Sequence, residues 1–324
     1  MKVRLSLFSV AILWLLLFTG PASAQLIHDE PEWYLPTGDG CRLFVQEFGQ
    51  GRDTIIVLHG GWGAEHGYLL DAFTGVVDSH HLVFYDQRGS LRSPCPDSLI
   101  SVDKHVQDLE RLRSELGVAR PTLVGHSMGT YLALDYLQQH PTNVKGLVLL
   151  GALPPKRSGS GLERQIAQEQ EVEVRAFFER PEIGAELHAH GLDRSEGELS
   201  AKEESSGWRI RFAGINLYHV ERWPQMKGGR AFYNEQAGAA AAKTVPELYD
   251  FTPAIAAHRC PVWAIMGDHD YLDIGARQHR RLAAGIANYR VSVLENAGHF
   301  AWVDAPQEFR RTLGEALEAI GRCE

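Results

Sequence analysis

The sequence has no excess of positive charge and few cysteines. Its 324 residues carry a formal net charge of −9, and the acidic excess is spread through the second half instead of forming a tail. A nucleic-acid partner is therefore not predicted, since such proteins present a basic patch or stripe. No C-x-x-C spacing occurs among the four cysteines, so we expect neither metal binding nor redox chemistry from them.

Internal repeats and low-complexity tracts are also missing, which excludes a repeat array and a disordered chain. Hydrophobic residues make up 44% of the chain, enough for a sizeable buried core. These features predict a globular protein.

Long hydrophobic runs are confined to the N-terminus. Residues 5–18 form an apolar stretch that follows Lys2 and Arg4 and precedes small residues at 22–24. The stretch is shorter than the ~20 residues that cross a bilayer, so we predict a signal peptide at 1–24, with an uncleaved anchor as the alternative. The mature protein is expected to be periplasmic or secreted, with no stable membrane partner.

Disulfides form and persist in such compartments. The four cysteines can pair in three ways, and the sequence does not choose among them. One or two bridges are expected, or simply buried thiols. The cysteines are Cys41, Cys95, Cys260 and Cys323.

Short apolar runs alternate with helical patterns, which is typical of an α/β fold with a mostly parallel sheet covered by helices on both faces. Six runs rich in Val, Ile, Leu or aromatic residues are predicted to be strands: 54–58, 81–85, 121–124, 144–150, 261–266 and 289–294. Ligands of such sheets bind at the carboxyl ends of the strands. We therefore expect the functional residues at those ends.

The segment between the fourth and fifth predicted strands has a different composition. Residues 155–253 lack comparable strand runs and are predicted to form an inserted helical cap, with turns or joints at 158–161, 205–207 and 238–242. The core domain is then 25–154 together with 254–324. A final amphipathic helix is predicted at 306–320, with one apolar face. That face consists of Phe309, Leu313, Ala316, Leu317 and Ile320.

A G-x-S-x-G motif at 125–129 follows a predicted strand and precedes a helical run. A tight strand-to-helix turn requires small residues on both sides of the serine, which glycine supplies. Ser127 is therefore the predicted nucleophile.

A serine hydroxyl needs a base to take its proton, and the base needs a carboxylate to orient it. His299 follows the last predicted strand and a glycine, and is the predicted base. Asp268, Asp270 and Asp273 compete for the role of acid. Asp270 is favoured because it extends beyond the strand end, whereas Asp268 is better placed to cap the turn.

Nucleophilic attack places negative charge on the former carbonyl oxygen, so backbone donors must be preset beside it. The glycine-rich loop at 59–63 lacks the G-x-G-x-x-G and G-K-[ST] patterns of nucleotide-binding loops. We expect the N–H groups of Gly61 and Met128 to form this oxyanion hole.

These motifs resemble those of the α/β-hydrolase fold and, within it, the prolyl aminopeptidase family that includes proline iminopeptidases. The resemblance rests on LHGGWG at 58–63, YDQRGSLRS at 85–93, the serine turn, GDHD at 267–270 and AGHF at 297–300. It covers most of the chain outside the cap. Asp86 and Arg88 are expected to brace loops.

The resemblance implies an aminopeptidase that acts on short peptides through an acyl-enzyme, without a metal or an organic cofactor. Family members bind the substrate's amino group with acidic cap residues. Here Glu235 is similar to one such position, and Glu204 or Glu221 is expected to supply the second. Trp62 is expected to contact substrate.

The sequence departs from the family at two points, with HGGWG in place of HGGPG and GHSMG in place of GGSWG. The second form is widespread among esterases. A carboxylesterase or thioesterase is therefore the alternative function, and a non-catalytic receptor with the same fold is a remote one. Oligomeric state is not predicted.

Overall fold

A computed structural model describes residues 32–195, 197–227 and 233–323. The signal peptide predicted at 1–24 lies outside the described residues. An eight-stranded sheet has the order β1-β2-β4-β3-β5-β6-β9-β10. Its strands are β1 Glu32–Pro36, β2 Arg42–Phe48, β3 Thr54–Leu58, β4 His81–Tyr85, β5 Thr122–His126, β6 Gly146–Leu150, β9 Val262–Gly267 and β10 Tyr289–Leu294.

The six strands from β4 to β10 in this order are mutually parallel, and they confirm the six predicted strands. The N-terminal hairpin of β1 and β2 was not predicted. Within it β2 pairs antiparallel with both β1 and β4, and β1 alternates between exposed positions and partly or fully buried ones and ends in Pro36. A short edge strand of this kind lacks the continuous apolar run by which the buried strands were found.

Both faces of the sheet are covered, and β3 shows this directly. Its side chains alternate between two cores: Ile56 and Leu58 lie in one cluster, and Ile55 and Val57 lie in the other. Successive strand residues point to opposite faces, so a fully apolar strand requires cover on each side.

Helices α1 Val102–Glu115, α2 Met128–Gln139 and α7 Thr252–Ala257 line the first core, together with α8 Arg277–Ala283. The second core contains the 3₁₀ helix His66–Phe73, α9 Ala301–Asp304 and α10 Pro306–Gly321. The helix predicted at 306–320 is confirmed as α10, and all five residues of its predicted apolar face are buried.

The inserted cap lies between β6 and β9. It contains α3 Gly161–Phe178, α4 Pro181–Ala189, α5 Ala201–Asn216, a 3₁₀ helix Val220–Gln225 and α6 Glu235–Ala242. Two short strands, β7 Lys156–Arg157 and β8 Tyr249–Asp250, pair where the chain enters and leaves this insertion. A small apolar cluster of its own holds Leu187, Leu192, Ile210 and Val220.

Two of the turns predicted within the cap are wrong. Residues 205–207 lie inside α5, and 238–242 lie inside α6. Alanine is the strongest helix former, and Gly238 is needed for contact, because a Cβ there would lie 2.6 Å from the Trp62 carbonyl oxygen. Small residues at this helix therefore reflect close packing against the core.

Disulfide bridges join Cys41 to Cys95 and Cys260 to Cys323. The first ties the N-terminal hairpin to the loop after β4, and the second ties the end of α10 to the start of β9. Across the described residues, none of the helices combines the length and apolarity needed to span a bilayer.

Candidate active site

Ser127 occupies the turn between β5 and α2, at the carboxyl end of the sheet. Its backbone has φ 53° and ψ −123°, a strained conformation for a residue with a side chain. The flanking glycine at 129 is required by contact, since a Cβ there would lie 2.2 Å from the Leu58 carbonyl oxygen. The sequence thus folds locally into a turn that exposes the serine above the strand end.

His299 lies in the loop between β10 and α9, and its imidazole is almost fully buried. Nδ1 lies 3.0 Å from each carboxylate oxygen of Asp270. Asp270 is itself fully buried, and its Oδ1 accepts the N–H of Leu272. A carboxylate at this distance holds the ring through one nitrogen and leaves Nε2 as the free basic atom.

The two competing carboxylates are engaged elsewhere. Asp268 accepts the N–H of Ala297 at 3.0 Å and contacts the ring of His269. Asp273 contacts Nδ1 of His279 at 2.7 Å. Both brace the loops around the histidine, whereas Asp270 contacts its ring.

The expected backbone donors come from two segments, the start of α2 directly after the serine and the loop after β3. Met128 is the first residue of α2, where a helix leaves its N–H groups without partners inside the helix. In the loop after β3, the carbonyl of Gly60 accepts a hydrogen bond from Nδ1 of His59 at 3.0 Å. The N–H of Gly61 belongs to the same peptide group, so it points in the opposite direction.

His59 remains neutral in this position, because burial lowers its pKa to about 4. Its second nitrogen, Nε2, accepts the N–H of Gln87 at 2.9 Å. Each ring nitrogen therefore has a defined role, and the imidazole fixes the loop without carrying charge.

A cavity of about 550 Å³ opens in front of the serine. Of the residues predicted from the sequence, four line it: Ser127, His299, Gly61 and Glu235. Asp270 lies behind His299, and Met128 follows the serine. All but Glu235, which begins α6 in the cap, come from segments at one end of the sheet.

Three predicted substrate contacts are not brought to the cavity. Trp62 is buried and stacks on His105 of α1, with ring centroids 6.0 Å apart, because this loop residue points into the core. Glu204 is exposed in the first turn of α5. Glu221 is 65% exposed and lies 3.4 Å from His219. The structure therefore corrects the substrate-binding assignments of all three residues.

Glu65, which was not singled out from the sequence, lines the cavity and is largely buried. One of its oxygens, Oε2, accepts the N–H of Gly67 and a hydrogen bond from Arg92, both at 2.6 Å. Arg92 also binds Asp86, from Nε to Oδ2 at 2.7 Å. One guanidinium thus faces two carboxylates, of which Glu65 lines the cavity.

Two further charges lie at the cavity. Lys227 lines it, but its ammonium is paired with Asp71 at 2.7 Å. Glu235 lines it on the cap side, at the start of α6. The cavity therefore presents acidic groups to a ligand, and the pairing of the lysine offsets its positive charge.

Aromatic side chains form much of the remaining wall. They come from both the core and the cap, and include Tyr68, Trp208, Phe212, Tyr233, Tyr271 and Phe300. Trp208 and Phe212 stack at 4.8 Å along one face of α5. Such a surface binds apolar or ring-containing groups.

The expectation that Asp86 and Arg88 brace loops agrees with their contacts. Asp86 accepts hydrogen bonds from the N–H and the ring of His66. Arg88 is buried and binds both oxygens of Asp108, each at 2.6 Å. Paired buried charges of this kind hold chain segments in fixed positions.

A model of the alpha/beta hydrolase fold matches residues 53–306 of this chain. The chain belongs to the alpha/beta hydrolase family. The match includes the serine turn, the acid and base loops and the whole cap, so the family assignment covers every part of the site.

Curated relatives with similar sequences are named proline iminopeptidase. The protein from Lactobacillus crispatus (strain ST1) is 24% identical over 282 residues, covering 82% of this chain and 89% of the relative. The protein from Heyndrickxia coagulans is 23% identical over 287 residues, covering 87% of this chain and 96% of the relative.

Solved structures of alpha/beta hydrolases are similar over most of the chain. A proline iminopeptidase-related protein from Thermus thermophilus has a TM-score of 0.59 and 25% identity, covering 90% of this chain and 98% of that one. An esterase from Exiguobacterium antarcticum has a TM-score of 0.64 and 20% identity, covering 88% of this chain and 98% of that one. The second likeness concerns the fold alone.

Proposed function

We propose that this alpha/beta hydrolase is an exported serine aminopeptidase, which releases an N-terminal residue from short peptides, with proline as the candidate residue. The hydrolytic part of the proposal depends mainly on one observation. Ser127 and His299 line the same cavity, and Asp270 contacts the far side of the imidazole at 3.0 Å.

In the proposed reaction His299 accepts the Ser127 proton while the serine oxygen attacks the substrate carbonyl. The N–H groups of Gly61 and Met128 stabilise the negative charge on the carbonyl oxygen. His299 then donates its proton to the leaving amine, which gives an acyl-enzyme. Water attacks the acyl-enzyme with the same histidine as base, and this releases the product and restores the serine.

The choice of an aminopeptidase is supported by the acidic groups in the cavity. A bound ammonium loses its hydration, and it needs a carboxylate partner to offset that cost. Glu235 and Glu65 both line the cavity, the first from the cap and the second from the loop after β3. Relatives named proline iminopeptidase, at 23–24% identity, agree with this choice.

A carboxylesterase or thioesterase is the second candidate, favoured by the aromatic wall of the cavity. Trp208, Phe212 and Phe300 offer an apolar surface to an acyl chain, and such a substrate has no need of the acidic groups. The two candidates share the same reaction steps and differ in whether the substrate carries a free amine.

Export is proposed from the predicted signal peptide at 1–24, which implies a periplasmic or secreted protein. The two disulfide bridges support it, because such bridges persist in oxidising compartments.

Purified mature protein should be assayed with prolyl- and alanyl-4-nitroanilide, their N-acetylated forms, and 4-nitrophenyl acetate and butyrate. We expect turnover of the free aminoacyl anilides, none of the N-acetylated forms, and none of any substrate by Ser127→Ala. Rapid ester hydrolysis without turnover of the free aminoacyl anilides would instead identify an esterase.

Variants of the acidic residues separate amine recognition from catalysis. Glu235→Gln and Glu65→Gln are each expected to raise KM for aminoacyl anilides roughly 10- to 100-fold, since each removes a charged partner of the ammonium. KM for 4-nitrophenyl acetate should change little. Glu204→Gln is the matched control, because this exposed carboxylate lies outside the cavity. Equal changes for both substrate classes would argue against amine binding.

A further inference from the structure

Tyr68 lies in the 3₁₀ helix after the glycine-rich loop, and no step of the proposed reaction uses it. Its ring lines the cavity, and its hydroxyl lies between two groups of the site. The hydroxyl oxygen accepts the N–H of Gly60 at 2.7 Å, and it lies 2.7 Å from Nδ1 of His126.

The proton positions in this chain of contacts follow from the groups at its ends. The Gly60 N–H donates, so the tyrosine hydroxyl is free to donate its proton to Nδ1 of His126. At the other side of that ring, Nε2 lies 3.3 Å from the carbonyl oxygen of His299, which can only accept. His126 therefore carries its proton on Nε2.

Neither side chain is charged under ordinary conditions. Burial lowers the pKa of His126 well below its usual value, and burial raises the pKa of the Tyr68 phenol well above its usual range. The chain of hydrogen bonds consequently stays intact across the working pH range of a serine hydrolase.

Gly60 is the point at which this chain meets the expected oxyanion hole. The Tyr68 hydroxyl binds the N–H of Gly60, and Nδ1 of His59 binds the carbonyl oxygen of Gly60. The loop also lies against the serine, since a Cβ at Gly60 would be 2.6 Å from the Cβ of Ser127. A small rotation of this peptide would move the Gly61 N–H away from the developing charge.

We propose that Tyr68 is a positioning residue for the oxyanion hole, whose hydroxyl fixes the loop at Gly60 against His126 and so presets the N–H of Gly61. The inference rests on the proposed function, in which Gly61 stabilises the oxyanion. The same hydroxyl links three loops of the site, because His126 precedes the nucleophile and contacts the backbone of the base.

Tyr68→Phe removes the hydroxyl and keeps the ring. Loss of an oxyanion donor costs about 10²- to 10³-fold in kcat, so a donor that is only displaced should cost roughly 10- to 100-fold. We expect this fall in kcat with KM within about threefold, for 4-nitrophenyl acetate and for the preferred aminoacyl anilide. Affinity for a boronic acid inhibitor, which mimics the tetrahedral state, should fall with kcat.

Tyr136→Phe is the matched control. Tyr136 lies in the last part of α2, away from Ser127, and its hydroxyl donates to Glu110 of α1 at 2.5 Å. Removing this hydroxyl should lower the stability of the protein without changing kcat. A double-mutant cycle with His126→Ala tests whether Tyr68 and His126 act together. Their effects on kcat should be clearly less than additive.

Three results would overturn the inference: an unchanged kcat in Tyr68→Phe, a rise in KM alone, or a loss of kcat that thermal scans explain by unfolding of the variant.

Fluorophosphonate labelling of the wild-type protein distinguishes failure of the positioning role from failure of the proposed function. If Ser127 is labelled and the wild type hydrolyses esters, an active Tyr68→Phe variant disproves the positioning role alone. A wild type that is neither labelled nor active disproves the proposed function.

Discussion

Three residues other than glycine have a positive φ in the described part of the chain. Ser127, Ala276 and Asn296 have φ angles of 53°, 52° and 52°. Ser127 is the proposed nucleophile, Ala276 ends the loop that begins at the proposed acid, and Asn296 lies three residues before the proposed base. Such conformations cost free energy, and all three lie in the segments that carry the proposed nucleophile, acid and base.

The assignment of the acid can be tested one residue at a time. Asp270→Asn keeps the size of the side chain but removes the charge that stabilises protonated His299. We expect kcat to fall by roughly 10³- to 10⁴-fold with little change in KM. Steady-state kinetics on the ester and anilide substrates would measure this effect.

Asp268→Asn is the companion variant, because the Asp268 carboxylate binds the Ala297 N–H and not the ring of His299. A loss of less than about tenfold is expected there. If Asp268→Asn were the more damaging of the two, the acid would have been assigned to the wrong residue.

At this scale the sequence predicts residues whose motif defines a backbone position. Ser127 and His299 were predicted because the residues around them form recognisable strand ends and turns. Trp62 was assigned wrongly because the sequence does not show to which side of a loop a side chain points. Glu65 was missed because no pattern marks a carboxylate that reaches a cavity only through the folded loop.

Asp304 connects two elements, the cap and the loop of the proposed base. Its buried carboxylate accepts the N–H groups of Tyr218 and His219 at the end of α5, and that of Gly298 beside the base. No ionised partner is needed, since three backbone donors satisfy both oxygens. The position of the cap and the position of His299 are thereby linked through one side chain.

Asp304→Asn should loosen this connection. An amide supplies one acceptor oxygen where the carboxylate supplies two, so at least one buried N–H loses its partner, at about 1–3 kcal/mol. We expect a lower free energy of unfolding, a higher KM and a lower kcat. Denaturant titration and steady-state kinetics would measure these changes.

The control for this variant is Glu221→Gln, an exposed carboxylate on the neighbouring 3₁₀ helix that should leave all three quantities unchanged. Equal stability and kinetics in Asp304→Asn and the wild type would show that the cap is held by other contacts.

Elements with a single strong pattern were predicted well, and those shaped by tertiary contacts were not. The buried parallel strands and α10 follow from their apolar runs and faces. The prediction of a turn at α6 is wrong because Gly238 suggests a break, whereas close packing against Trp62 requires it. The hairpin of β1 and β2 is stabilised by pairing at a sheet edge, which local sequence does not reveal.

For the whole molecule, buried neutral histidines predict sensitivity to acid. Burial lowers the pKa of His105 to about 3 and that of His59 to about 4. In the unfolded chain a histidine binds a proton near pH 6.5, whereas these remain neutral in the folded state. The unfolded state therefore binds more protons, and stability falls as the pH drops from about 6.5 towards 4.

His105→Phe isolates one contribution, because the ring can still stack on Trp62. The stability of the variant relative to the wild type should rise as the pH falls from 6.5, by at most about 1.4 kcal/mol per pH unit. Denaturant titrations between pH 7.5 and 4.5 measure this difference. A difference that does not depend on pH would show that His105 titrates normally in the folded protein.

The two disulfide bridges divide the molecule into segments of unequal freedom. One covalent ring, closed between Cys41 and Cys95, contains the glycine-rich loop, and the other, closed between Cys260 and Cys323, contains Asp270 and His299. The insertion at 155–253 belongs to neither ring. Warming or mild denaturant in an oxidising medium should therefore unfold the cap before the core domain. Hydrolytic activity should then be lost while the core domain is still folded.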